Sequence, residues 1–370
     1  MEKRPKILVA PLDWGLGHLT RCIPIVNELI IQGWEVWLAG NERGLAVMRK
    51  EFPQLSTVYL EGYNVIYHPS KKGFSRKIIK QLPKILGSIK AENRWLKNIL
   101  KEHRFHAVIS DNRFGLYNSG VYTVFISHQL HVKSGMGKWM DSIVQKINYR
   151  YINRFNECWV PDYSGKENLS GELSHGDPLP GNLQYIGAIS RFEKMNAAKK
   201  YDVLVVLSGP EPGRTKWEEK LLKDLQLFKG NACLVRGLPG NNGQPVNMEN
   251  VEVFNHLSAR ELNFAIAQSE WVICRSGYTS IMDLVKLQHK AILVPTPGQP
   301  EQEYLATYLF HKKIFYTVTE DAFVLQQDIA QAQQFPFDFS CFTGSLSNYK
   351  NNIRQLTEAV TSQKSLLQKI

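Results

Sequence analysis

Short apolar runs alternate along the chain with longer segments in which apolar positions recur every three or four residues. Lys6-Ile-Leu-Val-Ala10 opens the series and runs into a glycine loop, Asp13-Trp-Gly-Leu-Gly-His18. A helical pattern follows, with Ile23, Val26, Leu29 and Ile30 on one face and Gly33 at its end. Glu35-Val-Trp-Leu-Ala39 then reads as a second strand, and residues 107–110, 123–127 and 158–160 as further ones. Uninterrupted apolar strands are buried on both faces, and strand, glycine turn, helix, strand is the βαβ pattern of a doubly wound parallel sheet. The pattern restarts near residue 201. Asp202-Val-Leu-Val-Val-Leu207 meets Ser208-Gly-Pro-Glu-Pro-Gly213, and strands are predicted at 232–236, 251–254, 271–274 and 291–294. A final amphipathic helix carries Ile353, Leu356, Ala359 and Val360 on one side, after a loop near 335–345.

The expected fold class is α/β: two doubly wound Rossmann-like domains facing across a cleft, with a C-terminal helix. The domains are expected at 1–187 and 201–335, joined by a linker over 188–200 and followed by a C-terminal loop and helix over 336–370. The length of 370 residues agrees with two domains at about 150 residues each. No apolar run approaches the roughly 18 residues of a membrane-spanning helix. The stretch 7–12 is too short for a signal-peptide core, and Asp13 interrupts it. Five cysteines, at 22, 158, 233, 274 and 341, show no paired spacing, so neither a disulfide framework nor a structural zinc is expected. The chain is placed in the cytoplasm.

The net charge of +11 changes the picture because it is uneven. Residues 1–185 carry 25 Lys and Arg against 16 Asp and Glu, and residues 71–104 alone carry 11 against two. A basic first half points to an anionic partner. Nucleic acid is not expected, since no zinc-finger, RRM-like or basic-zipper pattern is present. Over 74–101, Ile and Leu recur at helical spacing with Lys and Arg opposite, and Pro83 is expected to kink this helix or start a second. Two readings stand for it: an ordinary domain helix with a solvated basic face, or a surface that lies on anionic lipid at the inner face of the cell membrane.

Candidate chemistry falls at strand ends. Gly15 and Gly17 let a ligand approach the backbone where the first helix begins, and His18 sits there as a candidate general base. Helix capping is its plainer reading. Thr20 occupies the third glycine position of a dinucleotide fingerprint, so that fingerprint is absent. Arg275-Ser-Gly-Tyr-Thr-Ser280 opens a helix after a strand, and its N–H groups form a diphosphate cradle, with Asp283 in reach of ribose hydroxyls. Val294-Pro-Thr-Pro-Gly-Gln-Pro-Glu-Gln302 brings Gln299, Glu301 and Gln302, groups suited to sugar hydroxyls. Asp111, Asn112 and His128 follow two other strands, as do Ser208, Gly209 and Arg214. Asp111 is the candidate partner of an imidazole. No metal-binding carboxylate cluster is expected, and no cofactor.

Together these residues resemble the GT-B glycosyltransferases, in particular family 28. The resemblance rests on Gly15-Leu-Gly-His18 with Arg21 and Pro24, on Arg275-Ser-Gly-Tyr-Thr-Ser280 with Asp283, and on the loop to Gln302. It implies a donor diphosphate held by Ser276, Gly277, Tyr278, Thr279 and Ser280 with Ser208, Gly209, Arg214 and Arg275. Asp283, His256 and Leu257 would meet ribose and base, and Gln299, Glu301 and Gln302 the donor sugar. His18 and Asp111 would be catalytic, with Gly15, Gly17, Asn112 and His128 on the acceptor side. The implied activity is inverting, metal-independent transfer of a sugar such as N-acetylglucosamine from a UDP-sugar to a membrane-associated glycolipid or lipopolysaccharide intermediate. A nucleotide-sugar hydrolase or epimerase on the same fold, and a non-catalytic membrane-surface scaffold, are the alternatives.

Overall fold

The computed structural model describes residues 4–13, 16–63, 74–131, 138–240, 248–342 and 348–367. Two compact units emerge. The first comprises Met1–Ile66, Lys72–Ile189 and Ser345–Ile370, the second Ser190–Gly344.

In the first unit, strands β1 (Lys6–Pro11), β2 (Glu35–Gly40), β3 (Ser56–Tyr59), β4 (Ala107–Asp111), β5 (Tyr122–Ile126), β6 (Glu157–Val160) and β7 (Leu183–Tyr185) form one parallel sheet. Its order is β3-β2-β1-β4-β5-β6-β7. Helices α1 (Leu16–Ile31), α2 (Glu42–Glu51), α3 (Phe74–Glu102), α4 (Lys138–Ile152) and the short α5 (Glu172–His175) connect the strands. Ile7, Leu8, Val9 and Ala10 are fully buried, as central strands covered on both faces must be. Gly33, at φ +85°, ends α1 in a left-handed turn in which Trp34 N–H donates to Leu29 C=O.

The second unit repeats this plan with β8 (Tyr201–Val206), β9 (Ala232–Val235), β10 (Val251–Phe254), β11 (Ser269–Cys274), β12 (Ala291–Leu293) and β13 (Tyr316–Thr317). The strands are parallel in the order β10-β9-β8-β11-β12-β13. Helices α6 (Gly213–Leu227), α7 (Ala259–Ala267), α8 (Tyr278–Leu287), α9 (Pro300–His311) and α10 (Leu325–Gln334) follow the strands, and a 3₁₀ turn spans Ser340–Phe342. The chain closes with α11 (Asn348–Leu367), which belongs to the first unit. There Trp34 Nε1 donates to Thr357 Oγ1 at 2.9 Å, and Asn352 donates to Gln184 at 2.6 Å.

Two expectations need correction. Ile30 is 36% exposed, because the buried face of α1 runs through Leu19, Cys22, Ile23, Val26 and Leu29. A single helix, α3, runs through Pro83, so no second one starts there. Strands β3, β7 and β13 were not foreseen, since edge strands of two to four residues, with half-exposed side chains in β3 and β7, lack an apolar run. Gly15 and the side chains of residues 74–83 lie outside what is described.

Ile353 is fully buried in α11. Ile353→Ala is expected to destabilise the first unit by about 2–5 kcal/mol, the range for a buried isoleucine truncated to alanine. Urea unfolding of the full chain measures this, and a loss under about 0.5 kcal/mol would mean that α11 does not dock.

Candidate active site

Each sheet reverses its strand order between two central strands, and ligands of open α/β sheets bind at the carboxyl ends of such strands. In the first unit those strands are β1 and β4, which pair in register from Ile7 beside Ala107 to Pro11 beside Asp111. His18 stands in the first turn of α1 and Arg21 one turn further on. Arg21 Nε donates to Asp111 Oδ2 at 2.6 Å, and its Nη2 donates to Oδ1. His18 Nδ1 lies 3.0 Å from Asp111 Oδ1 and 2.9 Å from Arg21 Nη2. Arg21 Nη1 donates to His128 Nδ1 at 3.0 Å, bringing in the loop after β5. The Cys22 thiol donates to Asp111 Oδ2 at 3.6 Å.

The protonation pattern follows from this network. Nδ1 of His18 faces an acceptor, Asp111 Oδ1, and a donor, Arg21 Nη2; in the tautomer that carries its proton on Nδ1, toward Asp111, a lone pair is left on Nε2. Burial opposes ionisation of Asp111, yet the Arg21 and His18 contacts outweigh it and hold the carboxyl well below its ordinary range. Burial and the Arg21 charge lower the pKa of His18, against the pull of Asp111. Side-chain exposure is 16% for His18, 2% for Arg21 and 0% for Asp111. His18 is therefore the most exposed member of the trio, an imidazole whose burial and Arg21 neighbour favour the neutral form.

A second network, not foreseen, fixes the turn that carries Asp111. Asn112 takes a left-handed φ of 55° and its N–H donates to Ile126 C=O at 3.0 Å. Arg113 is fully buried and donates to Pro11 C=O at 2.9 Å, to Glu61 C=O at 3.0 Å and to Glu92 Oε1 at 2.8 Å. Glu92 Oε2 accepts from Tyr63 Oη at 2.6 Å and from Gly115 N at 3.0 Å. Burial pushes the Glu92 carboxyl up, opposed chiefly by Arg113. The signal available in the sequence was a single acid, Glu92, on the apolar face of a basic helix.

In the second unit the reversal lies between β8 and β11. Gly277 caps α8 with no side-chain bond, the first turn carries no acid, and the space where a Cβ would project is open. Thr279 and Ser280 are half-buried and Tyr278 is buried. Ser276 Oγ donates to Gln302 C=O at 2.9 Å, and Gln302 Oε1 accepts from Thr296 N at 2.9 Å. Gly209, at φ +113°, places its Cβ direction 3.9 Å from Thr296 Oγ1, a buried hydroxyl with no hydrogen-bond partner among the described residues. The loops after β8, β11 and β12 thus meet. Ser208 is exposed, Gln299, Glu301 and Leu257 are half-buried, and His256 is exposed after β10.

Three charged residues of this group are bonded within the second unit. Arg275 is buried over the Trp217 ring at 5.1 Å, donates to Val294 and Pro295 carbonyls at 3.3 Å, and pairs with Glu320 at 2.5 Å. Arg214 is held by Glu211 and Glu218, and Glu218 also holds Arg236. Asp283 is buried and accepts from Ser190 Oγ at 2.5 Å. Burial pushes its carboxyl up to about 6, opposed by Arg191 and by the Ser190 bond.

The sequence pattern of the glycosyltransferase family 28 C-terminal domain matches residues 239–336. A UDP-N-acetylglucosamine--N-acetylmuramyl-(pentapeptide) pyrophosphoryl-undecaprenol N-acetylglucosamine transferase of Haemophilus ducreyi is 23% identical over 319 residues, covering 82% of both chains. Among solved structures, the calicheamicin glycosyltransferase CalG4 superposes with a TM-score of 0.64 at 12% identity, over 98% of this chain and 99% of that one. MurG of Acinetobacter baumannii gives 0.50 at 13% identity over the whole of both chains. The fold is the GT-B fold, and the resemblance to family 28 glycosyltransferases is borne out, with the hexosyltransferase class it implied.

Asp111→Asn would leave the Arg21 charge buried without its counter-ion, and is expected to destabilise the first unit by about 3–5 kcal/mol. Because the folded-state carboxyl is held below the ordinary aspartate value of 3.8, this contribution is full above that pH and is lost as pH falls further. Chemical unfolding at pH 7 measures the loss, and a change under about 1 kcal/mol would mean that the pair is solvated.

Proposed function

We propose that the protein moves a hexose, N-acetylglucosamine or a close relative, from a UDP-sugar to the hydroxyl of a lipid-linked or glycolipid acceptor. Transfer inverts the anomeric centre and uses no metal. The observation that carries this reading is the His18 imidazole, oriented by Asp111 and kept neutral at the carboxyl edge of the first sheet. An acceptor hydroxyl is a weak nucleophile and needs a base; His18 Nε2 takes its proton while Asp111 stabilises the imidazolium that forms. Asn112 and His128 flank the acceptor.

In the second unit the uncapped start of α8 faces the donor diphosphate. Backbone N–H groups around Gly277–Ser280 offset the charge that develops on the leaving group. Ser208 and Gly209 complete the cradle, while Arg275 and Arg214 act by bracing its loops. Asp283, His256 and Leu257 lie toward ribose and base, and Gln299, Glu301 and Gln302 toward the sugar. The enzyme works on the inner face of the cell membrane, with the basic face of α3 toward anionic lipid.

His18→Ala is expected to lower turnover by about 10²–10⁴-fold with donor affinity unchanged. The wild-type rate should decline only as pH falls through the His18 pKa, below 6.5. Near-normal turnover of the variant would reduce His18 to a helix-start residue, and donor cleavage equally fast without acceptor would make the enzyme a hydrolase. Thr279→Asp sets a carboxylate where the diphosphate belongs. Calorimetry on the folded variant should detect no UDP binding, and an unchanged affinity would move the donor site elsewhere.

A further inference from the structure

Among the described residues of the second unit, Thr296 Oγ1 is the one hydroxyl that is both buried and without a hydrogen bond. A buried hydroxyl left unpaired costs stability, so native folds rarely keep one without a use. Thr296 stands in the loop that follows β12. Its backbone is fully engaged: the N–H donates to Gln302 Oε1 at 2.9 Å, and the C=O accepts from Gln299 N–H at 3.1 Å. The hydroxyl alone is left over.

Two gaps lie beside it. A Cβ built on Gly209, where φ is +113°, would have Thr296 Oγ1 as its nearest contact at 3.9 Å, and one built on Gly277 would meet nothing within 4 Å. Gly209 belongs to the loop after β8 and Gly277 to the start of α8, the two sides of the diphosphate cradle proposed above. Gln302 ties these parts together, since its side chain accepts from Thr296 N–H and its C=O accepts from Ser276 Oγ. Thr296 as a whole is half-exposed. Rotation about χ1 between staggered wells therefore carries its hydroxyl from the buried side to the exposed one.

We propose that Thr296 is a further donor-binding residue, whose hydroxyl donates to the phosphate next to the sugar, the β-phosphate. The inference rests on the donor site proposed above and adds a residue to it. The order of the strands selects the phosphate. The nucleoside lies toward His256 and Leu257 after β10, and the sugar toward Gln299 and Glu301 after β12, at opposite ends of the row β10-β9-β8-β11-β12. A group in the β12 loop beside Gly209 therefore meets the phosphate on the sugar side. When the bond from the anomeric carbon to the phosphate oxygen breaks, its electron pair stays on that phosphate. A hydroxyl aimed there gains strength as a donor while the charge develops.

Titration calorimetry on the full chain compares UDP with UMP, which lacks the β-phosphate. Thr296→Val keeps the shape of the side chain and removes the hydroxyl. It should weaken UDP binding by about tenfold or more, the worth of a hydrogen bond to a charged group, and leave UMP within about twofold of the wild type. Thr296→Ser should bind UDP as the wild type does. Without nucleotide, the valine variant should unfold at a higher urea midpoint than the wild type, because it loses an unpaired hydroxyl that the fold does not use. If it loses cooperative unfolding, Thr296→Ala removes the same hydroxyl and should show the same loss of UDP against UMP. Unchanged UDP affinity in the valine variant, an equal loss of UMP, a serine variant as weak as the valine one, or a lower urea midpoint overturns the proposal. Wild-type protein that binds neither nucleotide removes the donor site itself and this residue with it, a result distinct from each of the others.

Discussion

Arg21 and Asp111 set the terms for the first unit. A guanidinium and a carboxylate withdrawn from water are tolerated only when each satisfies the other in good geometry. Here the two nitrogens of one face of the guanidinium meet both carboxylate oxygens. The pair joins the first turns of α1 to the end of β4 and, through His128, to the end of β5. His18 inherits its position from that junction. Burial first, and then the same arginine that anchors Asp111, keep protons off the imidazole.

The second unit uses arginine in a related way. Arg275 binds two carbonyls, a carboxylate and an aromatic face, and Arg214 is clasped by two glutamates. Their charge is spent on loop shape. What remains at the carboxyl edge of the sheet is backbone, small hydroxyls and an uncapped helix start. Such a surface holds anionic ligands through fixed dipoles that need no rearrangement when charge moves.

Much of this was legible in the chain. The apolar runs at β1 and β8 announced the two parallel sheets because buried central strands tolerate little else. His18 and Asp111 were legible because each follows a strand at the edge where ligands bind. Arg21 was visible as a charge set between Leu19 and Cys22 on an otherwise apolar helix face, although its central place was not. Glu320, which meets Arg275 from 45 residues away, left no local trace, since an acid on an ordinary loop has no period or spacing to betray it. The edge strands β3 and β13 escaped for a different reason: β3 is short and half solvated, and β13 has only two residues, so neither carries an apolar run.

The return of α11 to the first unit bears on the order of events at the ribosome. Domains generally fold as units, amino-terminal first, while synthesis proceeds. In this chain the first unit lacks one covering helix until everything through Gly344 has been made. Trp34 and the neighbouring surface of α1 therefore wait uncovered throughout translation of the second unit. The amino-terminal half of the protein is completed last.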